Sequence, residues 1–304
     1  MGRNFFYCSE LSDRAGEQAI GTASTGDVWM LLEYTRPWGY RAFQESNLSR
    51  AVKAQINRVL KTVPRSRILF IKQEREPAGA FKLFVVRSQE SNTSIVRFEL
   101  EDHAQLLDMD LESIVTGSAD AGGGERWEKN LFLVCTHGKR DKCCAKFGFS
   151  LYKSLREQVG ESVWQASHVG GDRFAANLIC FPHGLFYAHV TEESGQRIIS
   201  EYVEERVILE NYRGRACYPS PIQAAEYFIR TESGLTGLND LRFLDYAIIR
   251  ERNWRARFHS TVDGRIHEVY LQSQLSEFQN LLTCHATEEK RVVQYSLSNY
   301  RVSG

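Results

Sequence analysis

The sequence predicts an α/β fold with a thioredoxin-like core, and three observations carry that expectation. Strand-like runs alternate with amphipathic helices along most of the chain. LFLVC at 131–135 is a continuous apolar run of the buried-strand type, followed at once by a loop holding thiols. From there the pattern runs strand, cysteine loop, helix, strand, glycine loop, strand pair, helix. The fold class read from this order is α/β, with an N-terminal α/β extension before the thioredoxin-like core and a small C-terminal α+β extension after it.

Taken in order, Ser49 to Val63 carries Val52, Ile56, Val59, Leu60 and Val63 at mostly three- and four-residue intervals, an amphipathic helix. Strand-like runs follow at 67–73 (RILFIKQ), 81–88 (FKLFVVRS) and 94–100 (SIVRFEL), the first two separated by REPAG as turn material. GSADAGGGE at 117–125 has the composition of a flexible joint and sets a boundary between an N-terminal region, 1–116, and a core domain, 125–226. In the core domain, residues 145–159 place Phe149, Tyr152, Leu155 and Val159 on one helical stripe. VWQAS (163–167) reads as a strand, and NLICF (177–181) with LFYAHV (185–190) as a hairpin around Pro182-His183-Gly184. The segment 195–207 reads as a helix with Ile198, Ile199 and Val203 facing in. A helix with Pro at an N-terminal position opens at Pro221. After it, YAIIRER, WRARFHSTV and IHEVYLQS alternate like strands, with a hairpin turn at Asp263-Gly264. No internal repeat is visible, and the region 227–304 carries no recognisable chemistry.

Composition excludes several classes. The 304 residues include 42% hydrophobic and 12% aromatic side chains, enough to build cores, so disorder as a whole is ruled out. Lys plus Arg and Asp plus Glu both number 38, which argues against a generally basic, nucleic-acid-binding protein. The first residues hold no apolar stretch of signal-peptide length, and runs such as LFLV and LLTC fall far short of the ~20 residues that span a bilayer. Neither secretion nor a membrane is expected. Seven Cys is an odd number in a chain large enough to build its own core, which fits a reducing cytoplasm and a metal-binding or redox-active cysteine cluster.

The chemistry concentrates in CTHGKRDKCC (135–144) and SHVGGDRFAAN (167–177). Thiolate and imidazole are the donors that hold iron–sulfur clusters and zinc. Eight residues separate Cys135 from Cys144 in the chain, enough loop to wrap a cluster after a strand end. His168 and Asp172 flank Val169-Gly170-Gly171, whose glycines let the backbone approach closely and donate N–H groups. Between 126 and 146 stand six basic residues, Arg126, Lys129, Lys139, Arg140, Lys142 and Lys146, against Glu128 and Asp141, a locally basic face suited to an acidic redox partner. Cys143 and Cys144 do not easily face one metal together. His137 is expected to hydrogen-bond behind the ligands, and Cys8, Cys180, Cys217 and Cys284 to be small buried residues. C-x-x-C, H-E-x-x-H, G-x-S-x-G and P-loop patterns are absent.

At these motifs the sequence resembles the sucrase/ferredoxin-like family, through LFLVCTHGKRDKCCAKFG, VWQASHVGGDRFAANLICFPHGLFYAHV, FYCSELSDRAGEQAIGTA and, more loosely, YRGRACYPSPIQAAE. The resemblance covers about 1–226. It implies a thioredoxin-like ferredoxin domain with a [2Fe–2S] cluster held by two Cys of the first motif and two residues four apart in the second. Carried over by position, these are Cys135, Cys144, His168 and Asp172, with Asp standing where yeast-type members have a second His. Cys143 or His137 is the substitute should Asp172 not bind. A mixed set of two thiolates, an imidazole and a carboxylate implies a potential between those of all-Cys and bis-His centres. The expected function is one-electron transfer or redox sensing in the cytosol. The alternatives are a cluster-free thiol redox protein using Cys143 and Cys144, and a non-catalytic interaction module with structural zinc.

Overall fold

The computed structural model describes residues 6–74, 79–117 and 122–304. The turn expected at 75–79 and the joint at 117–125 lie largely outside the described residues. A short helix, α1 (Cys8–Arg14), precedes β1 (Val28–Glu33), six residues all buried. Helix α2 (Arg50–Thr62), whose first turn is capped by the Ser49 hydroxyl, buries Val52, Ile56 and Val59 and crosses over to β2 (Ser66–Lys72), which pairs parallel with β1. On the other side of β1 comes β3 (Phe81–Gln89), antiparallel, and then β4 (Asn92–Leu100). Helix α3 (Leu111–Thr116) closes this half, and a two-residue strand, β5 (Glu125–Arg126), edges it.

The second half repeats this plan. β6 (Leu131–Cys135) leads through α4 (Lys142–Val159) to the parallel strand β7 (Val163–Ala166). The hairpin β8 (Leu178–Phe181) and β9 (Leu185–Tyr187) follows, antiparallel to β6, and α5 (Glu192–Val203) completes the unit. The strand order is β2-β1-β3-β4 in one half and β7-β6-β8-β9 in the other, so both halves have the thioredoxin-like βαβ-plus-hairpin topology. They join by antiparallel pairing of the equivalent strands β2 and β7, Ile71 opposite Ala166 and Lys72 opposite Gln165, which relates them by a local two-fold. With β10 (Tyr212–Arg215) on the far edge, a single sheet of ten strands runs β10-β9-β8-β6-β7-β2-β1-β3-β4-β5. The 117–125 stretch thus separates two segments of sequence that share one sheet.

Two details of helix packing differ from the periodicity. In α4 the buried side is Cys143, Cys144, Gly148, Leu151, Tyr152 and Leu155, while Phe149 is 39% exposed. Gly148 sets this face: a Cβ there would lie 2.0 Å from the Cys135 carbonyl oxygen, so only glycine lets the helix close onto the end of β6. In α5, Tyr202 packs inward with Gly195, Ile198 and Ile199, and Val203 points out, 56% exposed.

The C-terminal part is a four-stranded antiparallel sheet, β11 (Leu241–Arg250), β12 (Asn253–Ser260), β13 (Ile266–Leu275) and β14 (Val293–Ser303). Helix α6 (Ser220–Ser233) covers it, burying Ile222, Ala225 and Ile229 against Ala256, Phe258, Val269 and Leu271. The turn at Asp263-Gly264 joins β12 to β13, with Gly264 at φ +74°. α6 is pinned to the ten-stranded sheet by Glu226, whose buried carboxylate lies 3.1 Å from Arg230, 3.4 Å from Arg215 on β10 and 3.0 Å from the Tyr212 hydroxyl. Truncating it in Glu226→Ala would leave two guanidinium groups buried without a counter-charge, and urea unfolding should show a loss of about 3–5 kcal/mol.

Candidate metal centre

The apolar run of β6 carries Cys135 to the end of the strand, fully buried. The loop that follows returns into α4, whose first turn is capped by Asp141 through its Oδ1 accepting from Cys143 N at 2.9 Å. This places Cys144 beside Cys135. The second loop, after β7, brings His168 to the same point. The Sγ atoms of Cys135 and Cys144 and an imidazole nitrogen of His168 all lie within 4.8 Å of one another. Asp172, only 6% exposed, stands on the flank of this trio: its Oδ1 is 3.1 Å from His168 Nδ1 and 3.8 Å from Cys144 Sγ. His168 Nδ1 is buried yet makes no well-formed hydrogen bond despite that short distance.

The glycines between them are demanded by the backbone. Gly170 and Gly171 have φ of +90° and +81°, and a Cβ on Gly171 would come within 2.7 Å of Arg213 Nη2. Arg213, on β10, is fully buried beneath the loop. Its Nη1 donates to Gly170 O at 3.0 Å and to Asn177 Oδ1 at 2.7 Å, and its Nη2 donates to Thr22 O at 2.5 Å. Its guanidinium also faces the Phe174 ring at 5.2 Å. Among the described residues no carboxylate oxygen lies within ion-pair distance of it, so the positive charge is balanced at longer range by the Cys135 and Asp172 side of the site.

Electrostatics follow from this crowding. Hydrogen bonding from Cys144, outweighing burial, holds the Cys135 thiol far below its ordinary range, while the proximity of Cys135 pushes Cys144 far above its own. Burial alone would disfavour the His168 imidazolium, but Asp172 and Cys135 outweigh it and raise the pKa to about 9. Burial lowers Arg213 to about 9. The crowding thus favours a single thiolate, at Cys135, with the charges of His168 and Arg213 bearing on the same site.

The two candidate substitutes for Asp172 are both engaged elsewhere. His137 accepts from the His168 backbone N–H at Nδ1, 3.1 Å, which puts the ring proton on Nε2, 2.7 Å from the carbonyl oxygen of Gly39. It therefore braces the second loop as a neutral ring. Cys143 points away from Cys144, into a separate cluster with Cys8. The two neighbouring thiols serve different surroundings and do not form a dithiol pair. A cleft of about 370 Å³, lined by Tyr40, Arg41, Phe70, His137, Arg140 and His168 among others, opens onto the His168 edge of the site. Of the expected basic face, Lys139, Arg140, Lys142 and Lys146 lie on the cysteine loop and the start of α4. Arg126 and Lys129 precede β6 at the other end of that strand and do not contribute.

Comparison with known proteins agrees with this architecture. The sucrase/ferredoxin-like family profile matches residues 19–214. The chain belongs to that family. It is 34% identical over 96 residues to Altered inheritance of mitochondria protein 32 of Clavispora lusitaniae, covering 29% of this chain and 35% of that protein. The namesake of Meyerozyma guilliermondii is 26% identical over 160 residues, 49% of this chain and 48% of that protein, and that of Debaryomyces hansenii 36% identical over 97 residues, 28% and 36%. The chain thus spans about half or less of the length of these family relatives. No solved structure matches.

Sequence reasoning missed Arg213 as a member of the site, because a lone arginine in YRGR carries no sign that it is buried. Its role rests on the glycine loop, which gives a direct check. Gly171→Ala forces a left-handed residue costing roughly 1–2 kcal/mol and presses its methyl on a guanidinium held by hydrogen bonds. Thermal unfolding should show a fall in melting temperature larger than that of Gly123→Ala, where a Cβ meets nothing within 4 Å.

Proposed function

We propose that this family member is a [2Fe–2S] protein working in one-electron transfer or redox sensing in the cytosol. The observation that carries the reading is the convergence of a buried thiol pair from one loop with an imidazole and a carboxylate from another. The donors fit the group in kind, since thiolate and imidazole are iron–sulfur ligands, and Cys135 with Cys144 from one motif and His168 with Asp172 from the other are the residues that would hold it. His168 Nδ1 and Asp172 Oδ1 face each other at 3.1 Å without a well-formed hydrogen bond, so the two donors of the second loop stand side by side. When bound, the cluster supplies the one-electron couple, and the chain supplies ligands, charge and access.

Two thiolates, a neutral imidazole and a carboxylate leave one net negative charge on a diferric core. The buried Arg213 offsets it from beneath, and its cost of burial is compensated in return. His168, at the mouth of the cleft, is the accessible edge for electron exchange. Arg41 and Arg140 line that edge with positive charge, which favours an acidic partner protein.

Protein purified without exposure to air should be coloured, with visible charge-transfer bands, about two iron per chain and a rhombic signal on reduction. Colourless protein without iron and sulfide after anaerobic reconstitution would overturn the reading. Cys135→Ser and Cys144→Ser should abolish the cluster, and Cys143→Ser should leave it. Asp172→His should raise the potential, while an unchanged value would show that the carboxylate never touches iron. Arg213→Met should lower the potential by on the order of 100 mV, the Coulomb term for one charge several ångströms away at an effective dielectric of about 20.

A further inference from the structure

A second cysteine cluster joins segments that are far apart in the described chain. Cys8 at the start of α1, Cys143 in the first turn of α4 and Cys284 in the connection between β13 and β14 meet around Asp141. The sulfur atoms lie 3.6 Å apart for Cys8 and Cys143, 3.6 Å for Cys8 and Cys284, and 3.2 Å for Cys143 and Cys284. Cys8 Sγ is 3.9 Å from both oxygens of Asp141, a fully buried carboxylate. We propose that Cys8, Cys143, Cys284 and Asp141 form a second metal site, distinct from the first centre, that binds one thiophilic divalent cation such as zinc.

Several features fit an ion at the centre of the four groups. Zinc–sulfur bonds of about 2.3 Å in a tetrahedron put ligand sulfurs about 3.8 Å apart. The two 3.6 Å separations lie close to that edge, the 3.2 Å one between Cys143 and Cys284 is shorter, and all three are well outside the roughly 2.05 Å of a disulfide bond. Two of the sulfurs and the carboxylate are already oriented by backbone groups, as metal ligands are. Cys284 Sγ accepts from Cys8 N at 3.4 Å and Cys143 Sγ from Ser9 N at 3.5 Å. Asp141 accepts from Cys143 N at 2.9 Å and from Cys284 N at 2.7 Å, and an ionised carboxylate keeps lone pairs for a cation beyond these two bonds. Binding replaces the thiol protons by the metal, and the protons leave to solvent. The resulting negative charge faces Lys142 and Lys146, whose ammonium groups lie 5.1 and 3.8 Å from the centre of the Tyr7 ring beside the cluster.

The ion would cross-link α1, α4 and the β13–β14 connection, segments up to 276 residues apart. It would also fix the first turn of α4, and with it the neighbouring Cys144.

The test is metal analysis of the full chain, loaded with zinc alone. About one tightly held zinc per chain is expected in the Cys135→Ser/Cys144→Ser variant, which removes the first centre's thiols and keeps the second site intact. Zinc should fall at least tenfold in affinity in Cys284→Ser and in Cys8→Ser, with cooperative unfolding retained. Cobalt in place of zinc should give the intense thiolate charge-transfer and tetrahedral ligand-field bands, weakened by each substitution. The proposal is overturned by full zinc binding in Cys284→Ser, by an intact mass showing a disulfide in protein kept under reductant, or by loss of iron and sulfide rather than zinc in that variant. Because the first centre is read by its iron and colour, failure of one site is distinguishable from failure of the other.

Discussion

Arg213 is the residue on which the geometry of the first centre depends. A guanidinium removed from water is costly unless its donors are satisfied and its charge is countered. Its donors find the carbonyls of Gly170 and Thr22 and the side chain of Asn177, while its own carbonyl accepts from Gly21 and Thr22. One side chain therefore ties the segment before β1, the glycine loop and β10 together. What it lacks is a contacting anion. The negative charges that act on it are those of Cys135 and Asp172, so the residue that shapes the loop also acts electrostatically on the donors around it.

Asp141 is the corresponding organiser on the other face of the cysteine loop. It caps α4 and holds the Cys284 amide, and the direction it gives the first helical turn decides where consecutive cysteines go. Successive helical residues diverge by about 100°. Cys144 therefore joins the core shared by β1, β6 and β7, while Cys143 joins Cys8 and Cys284. The adjacency that looked like redundancy in CTHGKRDKCC is a division between two surroundings.

Much of this was legible in the sequence where a local pattern decides the outcome. LFLVC reads as a buried strand because both faces of β6 are covered, and His168 and Asp172 read as a pair because the loop between them is short and glycine-rich. The fold class and family followed from the same stretches. The long-range partners were not legible. Nothing local marks Cys8 and Cys284 as neighbours, and charge at Arg213 normally signals a surface residue. β1 is a plain apolar run, VWMLLE, yet its central place in the sheet comes from pairing with β2 and β3 rather than from its own pattern. β14 mixes polar and apolar residues along one strand of a sheet with a single covered face, which blurs its alternation.

The duplication of topology was also invisible, and it explains the cleft. The two halves bury the same arrangement of strands with unrelated side chains, because topology constrains volume and alternation more than identity. At the position where the second half carries its cysteine loop, after β6, the first half carries the segment following β1, with Trp38 and Gly39. The local two-fold through β2 and β7 brings these loops together. The Gly39 carbonyl accepts from His137 Nε2–H, and the Trp38 ring meets the His137 ring edge-on at 5.6 Å. His137 in turn fixes the His168 amide. The donor-free half therefore braces the half that holds the donors, and the cleft at His168 is the gap left between two equivalent loops of unequal content.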